Sequence, residues 1–523
     1  MSYPPRELRT RRLLLWAIAI AGAGLCGFAS TAEPTASATP LADGAVSSDP
    51  ASWPRFALNE ARQAAALLDH AHRRAQALEQ IAAATTGLGD CTAARAILTD
   101  ALGTARGIAD AALRDLALRD IAKRQAACND VAAALETLAG IASPGERNAV
   151  SVAVVSAQVA AGELPQALQV AGTIDDPLKM SEAQRMIAVA QARRGRMSEA
   201  REIAERIPDF LTRALASADI AALHADIGNA QALNTARLIA RNTRNARQRD
   251  VALGYVAGIQ AQSGDIRSAL GTSAAIKDGT SKAYALARIA DARTGTVDDA
   301  AVPELLDRAF TTARRAKPTG ATAAVLCEIA QGFVLRGDLA QARSALDHAY
   351  TIATSKRGLR YSAGTVEKIA RLRARTGDIA SALAIAEGIP DSSSRALLVH
   401  DVLAAQAERD DVAGALRTAN ALTDVRLQVA ALFGIVGVQM TSGDLAGARG
   451  SLRRVLELAR ETPDLGFRSH SLGAVAAAQV ELGDRSEAWP NFQDALAAAA
   501  ALPDAYARAH AYVNLSDPFT QRE

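Results

Sequence analysis

The chain has 523 residues, 49% hydrophobic, 22% charged and only 4% aromatic, which is ample apolar material for folding and excludes wholesale disorder. Alanine fills 123 positions, and 51 arginines stand against 7 lysines, so the composition points to closely packed helices and away from a large β domain. The formal net charge is +2, and setting aside residues 1–32 leaves 54 basic against 55 acidic residues, a balance that excludes a sustained nucleic-acid-binding surface.

Residues 1–32 read as a secretory signal: Arg6, Arg9, Arg11 and Arg12 precede an apolar run from Leu13 to Phe28, and Ser30-Thr31-Ala32 offers small residues for cleavage. Sixteen residues of helix span about 24 Å, short of a hydrocarbon core of roughly 30 Å, so a cleaved signal and a periplasmic protein of a Gram-negative cell are expected. The alternative is an uncleaved inner-membrane anchor. Leu25 precedes Cys26 where a lipobox wants Gly or Ala, which disfavours lipidation. The stretch Gly22-Ala23-Gly24-Leu25-Cys26-Gly27 matches a dinucleotide-binding glycine pattern but follows no strand and is discarded. Residues 33–54, rich in Ala, Ser, Thr, Pro and Asp, read as a flexible linker.

From about Arg55 one pattern recurs. Ile81, Ile121, Val154, Ile187, Ile220, Val256, Ile289, Ile329, Ile369, Val402, Ile435 and Val475 are β-branched anchors, spaced mostly 33 or 40 residues apart and once 36. Alanine follows nine of them, and glycine lies eight residues beyond nine. Glycine there permits the left-handed geometry that stops a helix, and the Asp that often follows suits a new N-cap. Apolar residues before the turn fall on one helical face, so each unit is a pair of antiparallel helices. The difference between 33 and 40 is about two helical turns, which lets a second helix lengthen and stay in phase. Leu445 to Arg460 and Leu339 to Thr354 read as the long form, Met197 to Ile207 as the short one. Ser143-Pro144-Gly145-Glu146 reads as a capping box between units.

The expected fold is all-α, a right-handed α-solenoid of about twelve helix-turn-helix repeats over residues 55–523, with residues 505–515 as a lone capping helix over an exposed end. The array resembles tetratricopeptide repeats. The family's small residue midway along its first helix matches Ala188, Ala221, Ala330 and Ala370, and its alanine early in the second helix matches Ala167, Ala200, Ala269 and Ala382. The family's aromatic positions hold mostly Ala, Gln or Leu here. The resemblance implies a curved rod whose concave face holds a protein or peptide.

Chemistry-bearing motifs are scarce. The seven histidines are scattered and read as solvated or capping, Asp298 and Asp299 read as turn caps, and no HExxH, phosphate loop, nucleophile elbow or CxxC occurs in the mature chain. No catalytic, cofactor or metal residue is assigned. Gln125, Gln158, Gln191, Gln260, Gln406, Gln439 and Gln479 lie four before the turn, beside the packed face, and are expected to satisfy their amides against backbone or the next repeat's glutamine. The other reading of this series is a polar ladder that lines a peptide groove.

Two basic clusters are candidate partner sites for an acidic segment: Arg237, Arg241, Arg244, Arg247 and Arg249, and then Lys356, Arg357, Arg360, Arg371 and Arg375. The expected function is a noncatalytic periplasmic scaffold; the alternative is an envelope enzyme or accessory acting on polysaccharide. Finally, Cys91 starts a second helix and Cys128 ends the next first helix, at the same edge of the stack, so a disulfide is expected, worth about 3–4 kcal/mol by loop entropy. Cys327, beside Leu326 and near Ile329, reads as a buried free thiol.

Overall fold

A computed structural model describes residues 47–223, 237, 238, 240, 241, 243, 245–294, 299–355 and 363–520. The expected signal at 1–32 and most of the expected linker lie outside these residues. Among the described residues all regular structure is helical. The chain forms two compact units, one made of the residues up to Gly140 together with those from Gly377 onward, the other of Ile141–Thr376.

The first unit opens with α1 (Trp53–Ala66), α2 (Ala71–Gly87), α3 (Cys91–Arg106), α4 (Ala111–Ala127) and α5 (Val131–Ala139). The second holds α6 (Pro144–Ala161), α7 (Leu164–Ala171), α8 (Pro177–Arg193), α9 (Met197–Glu205), α10 (Phe210–Leu223), α11 (Ala246–Gln262), α12 (Ile266–Ala274), α13 (Gly279–Arg293), α14 (Val302–Arg315), α15 (Gly320–Leu335), α16 (Leu339–Ala353) and α17 (Ala363–Arg375). The chain then completes the first unit with α18 (Ile379–Glu387), α19 (Ser392–Glu408), α20 (Val412–Ala421), α21 (Val425–Ser442), α22 (Leu445–Glu461), α23 (Leu465–Glu481), α24 (Arg485–Ala500) and α25 (Ala505–Thr520).

Helices pack as consecutive hairpins, as in α2/α3, α15/α16 and α23/α24. All twelve anchors are buried, from Ile81 to Val475. Every described residue eight beyond an anchor has positive φ, with Asn129 (56°) and Asp410 (63°) standing where the others have glycine. Asn and Asp tolerate this region better than other side chains, which explains their substitution here. The helix before the turn is closed by bonds such as Glu163 N to Gln158 O at 2.8 Å and Asp265 N to Gln260 O at 2.9 Å. The helix after it starts on an Asp cap: Asp378 accepts from Ser381 N and Asp444 from Gly447 N.

The two spacings have the expected origin. Second helices number 8 to 10 residues where the next anchor comes 33 on, as in α5, α7, α9, α12, α18 and α20. They number 14 to 17 where it comes 40 on, as in α3, α14, α16 and α22. Helix α21, long and apolar enough to cross a membrane, is largely buried among its neighbours in the first unit, with Val429 to Gly437 fully packed.

Three expectations are corrected. Structure begins before Arg55: Pro50–Ser52 form a short helical turn, and Trp53, fully buried, donates its indole N–H to Ser47 O at 3.1 Å, so residues 50–54 are not linker. The helix expected at 505–515 runs to Thr520 and does not cap an exposed end. It packs along α1 as the two helices of a hairpin do, and both pack on α2. The first and last helices thus form one split repeat, and Leu515, forty residues after Val475, is buried as an anchor would be. Trp53 seals the junction by stacking on Phe492, ring centroids 4.4 Å apart, with Trp489 at 5.6 Å. Apolar burial drives this pairing, because α1 alone would leave its Trp53–Ala57–Ala61 stripe in water. Last, Ser143 is an N-cap with Pro144 at the first position, but its side chain does not make the cap bond expected of it.

Candidate interaction surface

Polar groups at the packed faces serve the repeat in three recurring arrangements. The glutamines before the turn bond within their own hairpin. Gln125 Oε1 accepts from Thr137 Oγ1, Gln260 Oε1 from Thr272 Oγ1, Gln439 Oε1 from Ser451 Oγ and Gln479 Oε1 from Asn491 Nδ2, each at 2.8 Å and twelve residues apart. The structural role expected for this series holds in these hairpins, but the partner is neither backbone nor the next glutamine. In α7 and α9 the corresponding residues are Val170 and Ile203, and there Gln158 Oε1 and Gln191 Oε1 are buried without a partner. Gln406 instead donates to Asp411 Oδ2 at 2.7 Å.

The second arrangement uses an arginine four residues after the inter-hairpin cap. Arg114, Arg147, Arg213, Arg395, Arg468 and Arg508 each reach back to carbonyls of the preceding loop, including Ile108 O at 3.1 Å, Ile207 O at 2.7 Å, Ile389 O at 3.0 Å and Leu502 O at 2.8 Å. These carbonyls end a helix and lack an intrahelical donor, and a guanidinium supplies one. The next residue often braces the following loop: Asn148 Oδ1 accepts from Asp175 N, and Asp250 Oδ2 from Lys277 N and Asp278 N.

The third crosses from one hairpin to the next. Arg95, Arg343 and Arg449, each six past a turn, donate to Cys128 O, Thr376 O and Leu482 O, the residue before the next turn, 33 residues away in each case. All three lie in repeats of 40; most repeats of 33 have leucine at that place, as at Leu135, Leu168, Leu270, Leu383 and Leu416. These nine arginines are therefore architectural. The sequence signal for six of them, a cap residue followed four on by arginine at most breaks, as in Asp110 with Arg114 and Asp391 with Arg395, was present but unread.

The candidate basic residues divide accordingly. In the second unit Arg241 and Arg247 are exposed and Arg237 is half-buried, whereas Arg249 lies four residues after the Asn245 cap and pairs with Asp250 at 3.4 Å. Arg244 lies outside the described residues, as do Lys356, Arg357 and Arg360. Arg371 pairs with Glu367 at 3.6 Å, and Arg375 is exposed but engaged with a neighbour. Around them Lys368 pairs with Glu328 and Arg373 with Asp347 at 2.7 Å. Lys368 and Arg373 of this run are thus compensated by acids of the preceding hairpin.

Histidine placement departs from expectation. His70 is the exposed N-cap residue of α2, but His400 and His470 are buried on packed first helices. Burial drives His470 down to about 4, with His510 beside it adding to the shift, and burial lowers His510 as well. On α25 burial pushes Asp517 up to about 6. No group of three or more His, Cys, Asp or Glu that could hold a metal occurs among the described residues. Asp298 lies outside those residues, and Asp299 begins a short helical turn. In the second unit a cleft of about 120 Å³ is lined by the polar Arg288, Asp291, Glu328 and Gln331 and the apolar Val302 and Leu306. That volume suits one side chain of a partner and is well below the roughly 300–1,000 Å³ of a small-molecule site.

Fold and surface together define an all-helical protein built from iterated hairpins. No family model matches the chain, and no curated protein matches it. Among solved structures, Ton1535 from Thermococcus onnurineus NA1 is 18% identical over 70% of this chain and 98% of its own, with a TM-score of 0.24. A circular tandem repeat protein with novel repeat topology and enhanced subunit contact surfaces is 14% identical over 86% of this chain and 99% of its own, with a TM-score of 0.17. Likenesses this low leave the reading to the chain's own geometry.

Proposed function

We propose that the protein is a noncatalytic scaffold that holds a protein or peptide partner on a helical-repeat array. In this reading the fold is a right-handed α-solenoid of about twelve repeats, tetratricopeptide-like, carried to the periplasm by residues 1–32. The observation that carries it is iteration: the same left-handed turn recurs at every described position eight beyond an anchor. Side chains at equal register then form extended rows on the surface, suited to a long ligand. An acidic segment of the partner meets the basic residues around the start of α11, where Arg241 and Arg247 point into solvent.

The test is crosslinking in intact cells followed by mass spectrometry, with the mature N-terminus read from the same material. The expected result is one dominant crosslinked protein, lost on charge reversal of Arg237, Arg241, Arg244, Arg247 and Arg249, from a chain starting near Glu33. Capture unaffected by charge reversal overturns the basic surface, and a full-length chain retained in the cytosol overturns export.

A further inference from the structure

Cys91 is the first residue of α3, and Cys128 closes α4 just before the left-handed Asn129. The two residues face the same seam between hairpins α2/α3 and α4/α5, near enough for the Cys128 thiol to act on the Cys91 thiol. Both ends of the contact are held. Thr86 Oγ1, from the last turn of α2, is 3.2 Å from Cys128 Sγ, and Arg95 Nη2 donates to Cys128 O at 2.7 Å. Asp90 caps α3 by accepting from Ala93 N at 3.0 Å, which fixes the backbone entering Cys91. The same seam recurs wherever an arginine crosses to the residue before the next turn. Its counterparts to this pair are Leu339 with Thr376 and Leu445 with Leu482, so the closeness belongs to the architecture and only here do both places carry cysteine.

We propose that Cys91 and Cys128 form an exchangeable disulfide that staples the α2/α3 hairpin to the α4/α5 hairpin. The co-reactant is a small-molecule or protein disulfide. Cys91, the more exposed of the two, enters the reaction: its thiolate attacks one sulfur of the donor disulfide and displaces a thiolate, which takes up the proton Cys91 lost. Cys128, once deprotonated, attacks the Cys91 sulfur of the mixed disulfide and expels the second thiol. The protein gives up two electrons and two protons, and one donor disulfide becomes two thiols. Interaction with the Cys128 thiol, with burial, holds the Cys91 thiol above its ordinary range, so exchange accelerates as pH rises. Cys327 is a built-in control, since it is fully buried and burial pushes its thiol up to about 12. The proposal is independent of the export reading, because both hairpins lie within the first unit whatever the compartment.

The experiment is equilibration of the full chain with oxidised and reduced glutathione, followed by alkylation and nonreducing peptide mapping. The expected product is a Cys91–Cys128 crosslink lacking two hydrogens, reversed by dithiothreitol, with Cys327 recovered as a thiol. Cys128→Ser traps glutathione on Cys91, whereas Cys91→Ser leaves Cys128 unmodified. Recovery of both thiols after equilibration with excess oxidised glutathione, or a glutathione adduct that persists on Cys91 of the unaltered chain, overturns the proposal. The unaltered chain decides the question even where a variant fails to fold.

Discussion

Thr137 donates its hydroxyl to the buried Gln125 amide oxygen at 2.8 Å, from the second helix of a hairpin to the first. The distance recurs in three other hairpins, which makes this bond part of the repeat. In α6/α7 the donor is missing because Val170 stands in its place, and Gln158 Oε1 stays buried and unpaired. Val170→Thr keeps the shape and adds the donor, so it should raise unfolding stability by about 0.5–1.5 kcal/mol. Thr137→Val should lower it by about 1–3 kcal/mol, since it orphans Gln125. Urea midpoints at constant m check both, and a loss in Val170→Thr equal to that of Thr137→Val would refute the pairing.

The split repeat predicts that the two chain ends support one another. Trp53 is fully buried against Phe492 and Trp489, so Trp53→Ala should destabilise the first unit by about 3–5 kcal/mol. Truncation before Asp504 removes α25, which packs along α1, and should lower the melting temperature. Melting unchanged after truncation would mean that α1 and α25 do not pair.

Acid should weaken the first unit through His470. Its folded pKa of about 4 lies below the ordinary 6.5, so between those values the unfolded chain binds a proton that the folded chain does not. Stability from this group is therefore present above pH 6.5 and lost as pH falls toward 4, by up to about 3 kcal/mol. Asp517 has the opposite sign. Its folded value of about 6 exceeds 3.8, so its neutral form gains stability as pH falls through that window. His470→Gln should flatten the drop in melting temperature between pH 7 and pH 5, and Asp517→Asn should steepen it. Identical pH slopes in all three chains would remove both groups from the account.

The hairpins themselves were legible from residues 55 onward because their causes are local. A β-branched anchor, an apolar stripe and a residue able to take positive φ lie within about three helical turns of sequence, and two extra helical turns separate a spacing of 40 from one of 33. Asn129 and Asp410 could be placed as turns by register alone, before their φ values were known. That the helix starting at Cys91 meets the end of α4 was legible for the same reason, since stacking in register brings the edge of one hairpin to the next. What tertiary structure decided is where long side chains end and where the chain closes. Arg95 and Arg213 look like surface charge in sequence, yet they donate to helix-end carbonyls, a choice set by which carbonyls packing leaves within reach. The pairing of α1 with α25 was invisible because no local pattern links two helices more than four hundred residues apart. Only burial of both apolar faces against each other favours it, and that term exists once the intervening hairpins have brought the ends together.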